Sequence, residues 1–303
     1  MAPSSNQIPF LPPRRIIFSG GGIKILAHVG AVMALEEKGF LKSVREWAGV
    51  SAGGFMALLL CLHYTPQEIY KLCHKFDFSN VRHIEPEAVF DVMDTYGIDN
   101  GHNVEILLES VLKYKKFPPT ATFADLQKAG YSHLTIWASD VQAHNSVTFS
   151  TTTTPNISVK LAVRASMSYP FYFTPVIHPI TKHYLVDGGL LGNYPIYMYE
   201  DYDLHHTLGI TFVSSLEETI QPIEDFQTYF LQILSAFHVP RTRSAIERYY
   251  EHTIVIPLGS FSALQFEITE QEKQKLLQAG KEATYHFLER RPQIPFGRRH
   301  SVS

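Results

Sequence analysis

The five residues Gly49-Val50-Ser51-Ala52-Gly53 constrain this chain most, because of what stands on either side of them. Arg45 to Val50 alternates toward an apolar end and reads as a short strand. Ala52 to His63 is apolar throughout and reads as a buried helix. A serine held between two glycines at a strand-to-helix turn must take a strained backbone, with its Oγ exposed at the end of a sheet. Such a turn needs a layered α/β architecture around it.

A second glycine turn, Gly20-Gly21-Gly22-Ile23-Lys24, repeats the arrangement about thirty residues upstream. Arg14–Ser19 reads as a strand, and Ile23 to Lys38 carries apolar residues at helical spacing, with Gly39 just beyond its end. Consecutive glycines free backbone N–H groups to converge on an anion, here a candidate oxyanion hole. Neither Gly-x-Gly-x-x-Gly nor Gly-x-x-x-x-Gly-Lys-Ser/Thr is present, which counts against a nucleotide loop. The third turn, Asp187-Gly188-Gly189, follows an apolar strand end and supplies a carboxylate. Serine needs a proton acceptor. Of the 15 histidines none stands in a diagnostic context. His28 reads as a packed helix residue, and His205 and His206 as loop residues. Asp187 is the better-placed acceptor. A Ser-Asp-His arrangement remains open, with Ser51, Asp140 or Asp187, and a later His205 or His252.

The rest of the chain fits one large α/β unit. Further helices are expected from Pro66, over Val104–Tyr114, Thr122–Ala129 and Val159–Ser166. Strands are expected over Leu134–Ala138, Ser146–Ser150, Tyr184–Val186 and Leu208–Ser214. After Ser215 the pattern turns helical. Two helices, Phe226–Phe237 and Ser244–Tyr250, flank Pro240; His252–Pro257 reads as an added strand; Thr269–Arg290 is a helix opened by a Thr269/Glu272 capping box. The expected fold is a three-layer α/β/α core with a mostly parallel sheet over 14–214. A helical C-terminal extension, 215–303, packs on it.

Composition narrows the function. A net charge of -3 with no block of like charge argues against nucleic acid as a partner. Two cysteines, Cys61 and Cys73, on consecutive helices suit a reducing, cytoplasmic compartment. Met1–Pro13 has no apolar h-region, and the strongest apolar run, Met56–Leu62, is too short to span a bilayer. Any membrane contact is then peripheral. The Arg298 and Arg299 tail reads as loose.

These residues resemble the patatin-like phospholipases. Phe18 to Gly30 is similar to that family's glycine-rich loop and helix, Gly49–Gly53 to its elbow, and Asp187–Gly189 to its Asp-Gly-Gly/Ala turn. Ala165-Ser-Met-Ser-Tyr-Pro170 with Phe173-Thr-Pro-Val176 is similar to the segment before that turn. The order is also the family's. The resemblance implies a Ser51–Asp187 dyad, an oxyanion hole at Gly20, Gly21 and Gly22, and support from Lys24, Gly49, Gly53, Gly188 and Gly189. It implies ester hydrolysis of acyl lipids, chiefly phospholipids, through an acyl-serine intermediate, with no metal or other cofactor. The chain departs from the pattern at Ser19 for Asp, Lys24 for Arg and Ile25 for Gly. Phe171 and Tyr172 replace small residues, as candidate walls of an acyl channel. A non-catalytic lipid-binding protein on the same fold is the alternative. Oligomeric state is not legible.

Overall fold

The computed structural model describes residues 11–75, 88–201, 203–213, 223, 226–259 and 267–290. Most of the N-terminal segment read above, and the arginine tail, lie outside these residues.

The core is a sheet whose strands are apolar on both faces, as strands covered by helices on each side must be. In β1 (Arg15–Phe18), Ile16 and Phe18 join the larger core and Ile17 the smaller one. The side chains alternate between faces, so the strand separates two apolar layers. The larger layer is filled by α1 (Ile25–Glu37), α2 (Ala52–Cys61), α3 (Pro66–Lys75), α5 (His102–Tyr114), α6 (Phe123–Lys128), α7 (Val159–Ser166) and α10 (Glu270–Glu289). The smaller is filled by residues 194–199 and the end of α9 (Phe226–Arg248).

The sheet runs β10-β9-β1-β2-β4-β8-β7, with β5 (Asn145–Ser150) beside β4. β2 (Glu46–Val50), β4 (His133–Asp140), β9 (Thr207–Val213) and β10 (Thr253–Pro257) run parallel to β1 or to one another. β8 (Tyr184–Asp187) and β7 (Val176–Ile177) run the other way. Both glycine turns therefore fall at the same C-terminal edge, after β1 and after β2, where open α/β sheets carry their ligands.

Two elements from beyond residue 215 are integral to this body. β10 adds to the sheet beside β9, and α10 crosses α1 so closely that a Cβ on Gly30 would sit 2.0 Å from Leu277 O. The capping box of α10 forms as expected, Thr269 and Glu272 satisfying each other's amides. α9 corrects the sequence reading: it is one helix running through Pro240, not two helices flanking it. Proline forfeits one amide and crowds the preceding turn, yet the helix continues. The small sheet of β3 (Gly97–Asp99) with β6 (Phe171–Phe173) and the helix α4 (Ala88–Thr95) are too short to show a periodicity and were not expected. Phe171 and Tyr172 belong to that small sheet; Phe171 is exposed rather than walling a channel.

Candidate active site

β2 and β8 meet head-on. β5 occupies one side of β4 along its whole outer half. The other side is shared: β2 pairs with residues 133–137, and β8, descending, pairs with 138–140. Val50 is level with Trp137 and Asp187 with Ala138, so the ends of the two strands face each other across one residue step. Ser51 and Asp187, 136 positions apart in sequence, are thereby brought to 2.6 Å, the Ser51 hydroxyl donating to Asp187 Oδ2.

Ser51 sits at φ 54°, ψ -128°. A residue with a Cβ reaches that region only when its surroundings over-determine it. They do so here in two ways. A Cβ on Gly49 would lie 2.3 Å from Gly53 O, and one on Gly53 2.5 Å from Phe18 O, so strand and helix close to a distance only glycine allows. The Ser51 amide then donates to Ser166 Oγ at 2.8 Å, and that hydroxyl donates to Trp137 O at 2.6 Å. The end of α7 thus ties the elbow to the neighbouring strand. α2 begins at the next residue, and its N-terminal dipole faces the hydroxyl.

The Asp187 turn is held by the same segment. The amides of Asp187 and Gly188 donate to Ser168 O and Ser166 O at 2.7 and 3.3 Å, and Ser139 Oγ donates to Asp187 O at 2.9 Å. The carboxylate is 4% exposed, with Gly189 N–H on Oδ1 at 2.7 Å and no ion-pair cation among the described residues. Burial pushes its pKa from 3.8 to about 6, against the pull of the Ser51 and Gly189 hydrogen bonds.

The first glycine turn lies against this pair. A Cβ on Gly20 would stand 3.2 Å from Ser51 Cβ. Gly20 was expected to offer its amide to an oxyanion, but that N–H is already given to Asn193 O at 3.1 Å, and Asn193 Nδ2 returns a bond to Gly20 O at 3.3 Å. The Gly21 and Gly22 amides carry no hydrogen bond to an acceptor among the described residues. Ile25, bulkier than the glycine of the family pattern, is the first residue of α1 at an ordinary helical φ of -49° and packs into the core. Lys24 is mostly buried, with no carboxylate partner among the described residues; desolvation lowers its pKa, and its charge helps burial depress His238 to about 4.

Among the described residues no histidine joins the pair. His28 is fully buried against Phe18 and Phe212, its Nε2 donates to Ser19 O at 3.0 Å, and burial drives its pKa down to about 3. His205 precedes β9, and His252 precedes β10. Both stand at the N-terminal edge, across the sheet from Ser51, their rings 6.1 Å apart. Asp140 pairs with His183 at 2.8 Å. The structure therefore brings Ser51, Asp187 and Gly20–Gly22 together and leaves His205, His252 and Asp140 of the three-residue alternative away from them. Two contributors escaped the sequence reading. Ser166 lay inside a quoted segment without a role, and Asn193 lay six residues past Asp187 with no signal beyond following a glycine.

Residues 16–198 match the family model described as patatin-like phospholipase. A protein of Acanthamoeba polyphaga mimivirus is 28% identical over 276 residues, 88% of this chain and 91% of its own. Probable lipid hydrolase 463L of Invertebrate iridescent virus 6 is 25% identical over 186 residues, 60% of this chain and 62% of its own. Among solved structures, VipD from Legionella pneumophila has a TM-score of 0.63 at 18% identity, over 95% of this chain and 69% of that one, a likeness of fold. Four motifs in family order, the shared architecture and a match over more than half of its length lead to one conclusion: this chain belongs to the patatin-like phospholipase family.

Proposed function

We propose that the chain is a lipid acyl hydrolase of the phospholipase A or lysophospholipase type, working through a Ser51–Asp187 dyad. The observation that carries this reading is the 2.6 Å bond from a strained serine hydroxyl to a buried carboxylate that has no counter-cation among the described residues. A base poised near the working pH is what proton abstraction needs.

Asp187 accepts the Ser51 proton as Oγ attacks the ester carbonyl carbon. The carbonyl oxygen becomes an oxyanion, stabilised by the Gly21 and Gly22 amides with the Lys24 charge behind them. Gly20 shapes the wall of that hole instead of donating. The intermediate collapses to acyl-Ser51 as the C–O bond to the glycerol oxygen breaks, and Asp187 returns the proton to that oxygen. Water then attacks the acyl group, again losing its proton to Asp187, and Ser51 is regenerated with release of a fatty acid. Gly49, Gly53, Gly188 and Gly189 hold the two turns.

Among the described residues no helix is long and apolar enough to cross a membrane. Access to lipid is proposed to be peripheral. The test is fatty-acid release from phospholipid vesicles, together with fluorophosphonate labelling, for wild type and Ser51→Ala. Loss of about 10⁴ or more in rate and of all labelling in the variant is expected; equal activity in both ends the reading.

A further inference from the structure

The outer rim of the C-terminal edge carries a connected set of exposed apolar side chains. Going back along β8 from Asp187, Tyr184 is three residues further out, roughly 10 Å at strand spacing, level with Val141 at the end of β4. Val141 N–H donates to Tyr184 O at 3.0 Å. Ile177 pairs with Tyr184 in the β7–β8 hairpin, Ile180 occupies its turn, and the Tyr96 ring meets that of Tyr184 at 5.5 Å edge to face. Ile180 is 74% and Ile177 53% exposed. They stand on two hairpins, Val141 and Ile180 in the turns and Ile177 and Tyr184 on the strands beside them. Buried apolar surface inside the protein does not explain them.

Within the tips themselves the charge has one sign. From Val141 to Val186 the chain contains no Asp or Glu. Lys182 sits in the turn at φ 64°, its Nζ on Pro179 O at 2.8 Å, and it has no carboxylate partner among the described residues. Asp140, the carboxylate next to the tips, is buried under His183. α4 carries exposed Asp91 and Asp94, so the surface is confined to the two hairpin tips and Tyr96.

We infer that Val141, Ile177, Ile180 and Tyr184, with Lys182 among them, form the docking surface for a bilayer bearing anionic lipid. Protruding aliphatics enter the headgroup–acyl boundary, the tyrosines take its polar margin, and Lys182 meets lipid phosphate. The dyad then stands one short strand segment behind the membrane surface. The functional meaning of that placement rests on the lipid-hydrolase reading; the surface itself is tested without turnover.

The experiment uses the full chain with Ser51→Ala throughout, so that no lipid is consumed. Co-sedimentation is measured with phosphatidylcholine vesicles, with and without phosphatidylglycerol, and folding is checked by thermal melting. Binding to the mixed vesicles is expected, weakened at least about tenfold by Ile177→Glu with Ile180→Glu. Lys182→Glu is expected to lower the preference for anionic vesicles about fivefold. Ile106→Glu, exposed on α5, is expected to bind as the parent does. The proposal is overturned if a melting-competent double variant binds like the parent, or if Ile106→Glu weakens binding equally. It is also overturned if the parent is a dimer in vesicle-free buffer that the double variant splits, which would make the patch a contact between copies. Absence of ester hydrolysis in the wild type would instead fail the proposed function and leave this measurement intact.

Discussion

The two edges of the sheet each hold a carboxylate, half-buried at one and buried at the other, and they treat it in opposite ways. At the N-terminal edge, Glu46 opens β2. Its Oε2 accepts from Arg15 Nε at 2.7 Å, and its Oε1 from Thr135 and Tyr199 hydroxyls at 2.8 and 2.6 Å. Arg15 also donates to Thr207 at 3.1 Å and lies 4.2 Å over the Tyr199 ring. Charge is matched and the acceptors are filled. At the C-terminal edge, among the described residues, Asp187 has a hydroxyl and an amide but no cation, Lys24 has no carboxylate, and Ser51 is held at positive φ. Buried polar atoms there, Ser19 Oγ, His28 Nδ1 and His238 Nδ1, have no hydrogen-bond partner among the described residues. A satisfied network ties four strands, β1, β2, β4 and β9, in register. An unsatisfied one keeps groups reactive, since the missing compensation raises the pKa of Asp187 toward that of a working base.

The largest expected effect breaks the comparison at the reactive edge. Asp187→Asn should lower kcat/KM for an ester substrate by about 10³–10⁴ while leaving the fold at least as stable. The sign follows from the pKa. Raised from 3.8 to about 6 in the folded state, Asp187 binds its proton more tightly folded than unfolded. Its favourable contribution is fully present below pH 3.8 and is lost as pH rises to about 6. Chemical denaturation at several pH values should therefore show the variant gaining on wild type across that window and then holding level. Over the same range the wild-type kcat/KM should rise with pH, as the base ionises, and flatten above about 6.

The opposite edge should respond in stability. Glu46→Ala leaves Arg15 largely buried without its carboxylate, and we expect a loss of about 3 kcal/mol in urea unfolding, with kcat/KM changed by less than about threefold once the protein is folded. A large kinetic effect from Glu46, or a large stability loss from Asp187→Asn, would erase the distinction between the edges. The smallest effect sharpens it: Ser51→Gly removes the Cβ that makes φ 54° costly and should add about 1 kcal/mol of stability while abolishing hydrolysis.

What the sequence made legible was local. The Gly49–Gly53 and Gly20–Gly22 turns, the helices after them and the Thr269 cap each depend on neighbours within about five residues, and backbone sterics and periodicity speak at that range. The patterns that failed were short or overridden. β3, β6 and β7 are two or three residues long, and α9 passes Pro240, where the sequence rule ends a helix.

By itself, then, the chain determined its kinds of turn, a serine at a strained elbow, a carboxylate before two glycines, and the order in which they come. Only the tertiary structure decided that β2 and β8 share one side of β4 and so bring Ser51 to Asp187. It alone assigned the Gly20 amide to Asn193 and gave Ser166 the elbow to hold. It also set the basicity of Asp187, because desolvation is a sum over every residue that packs around the group, and most of those residues are far away along the chain.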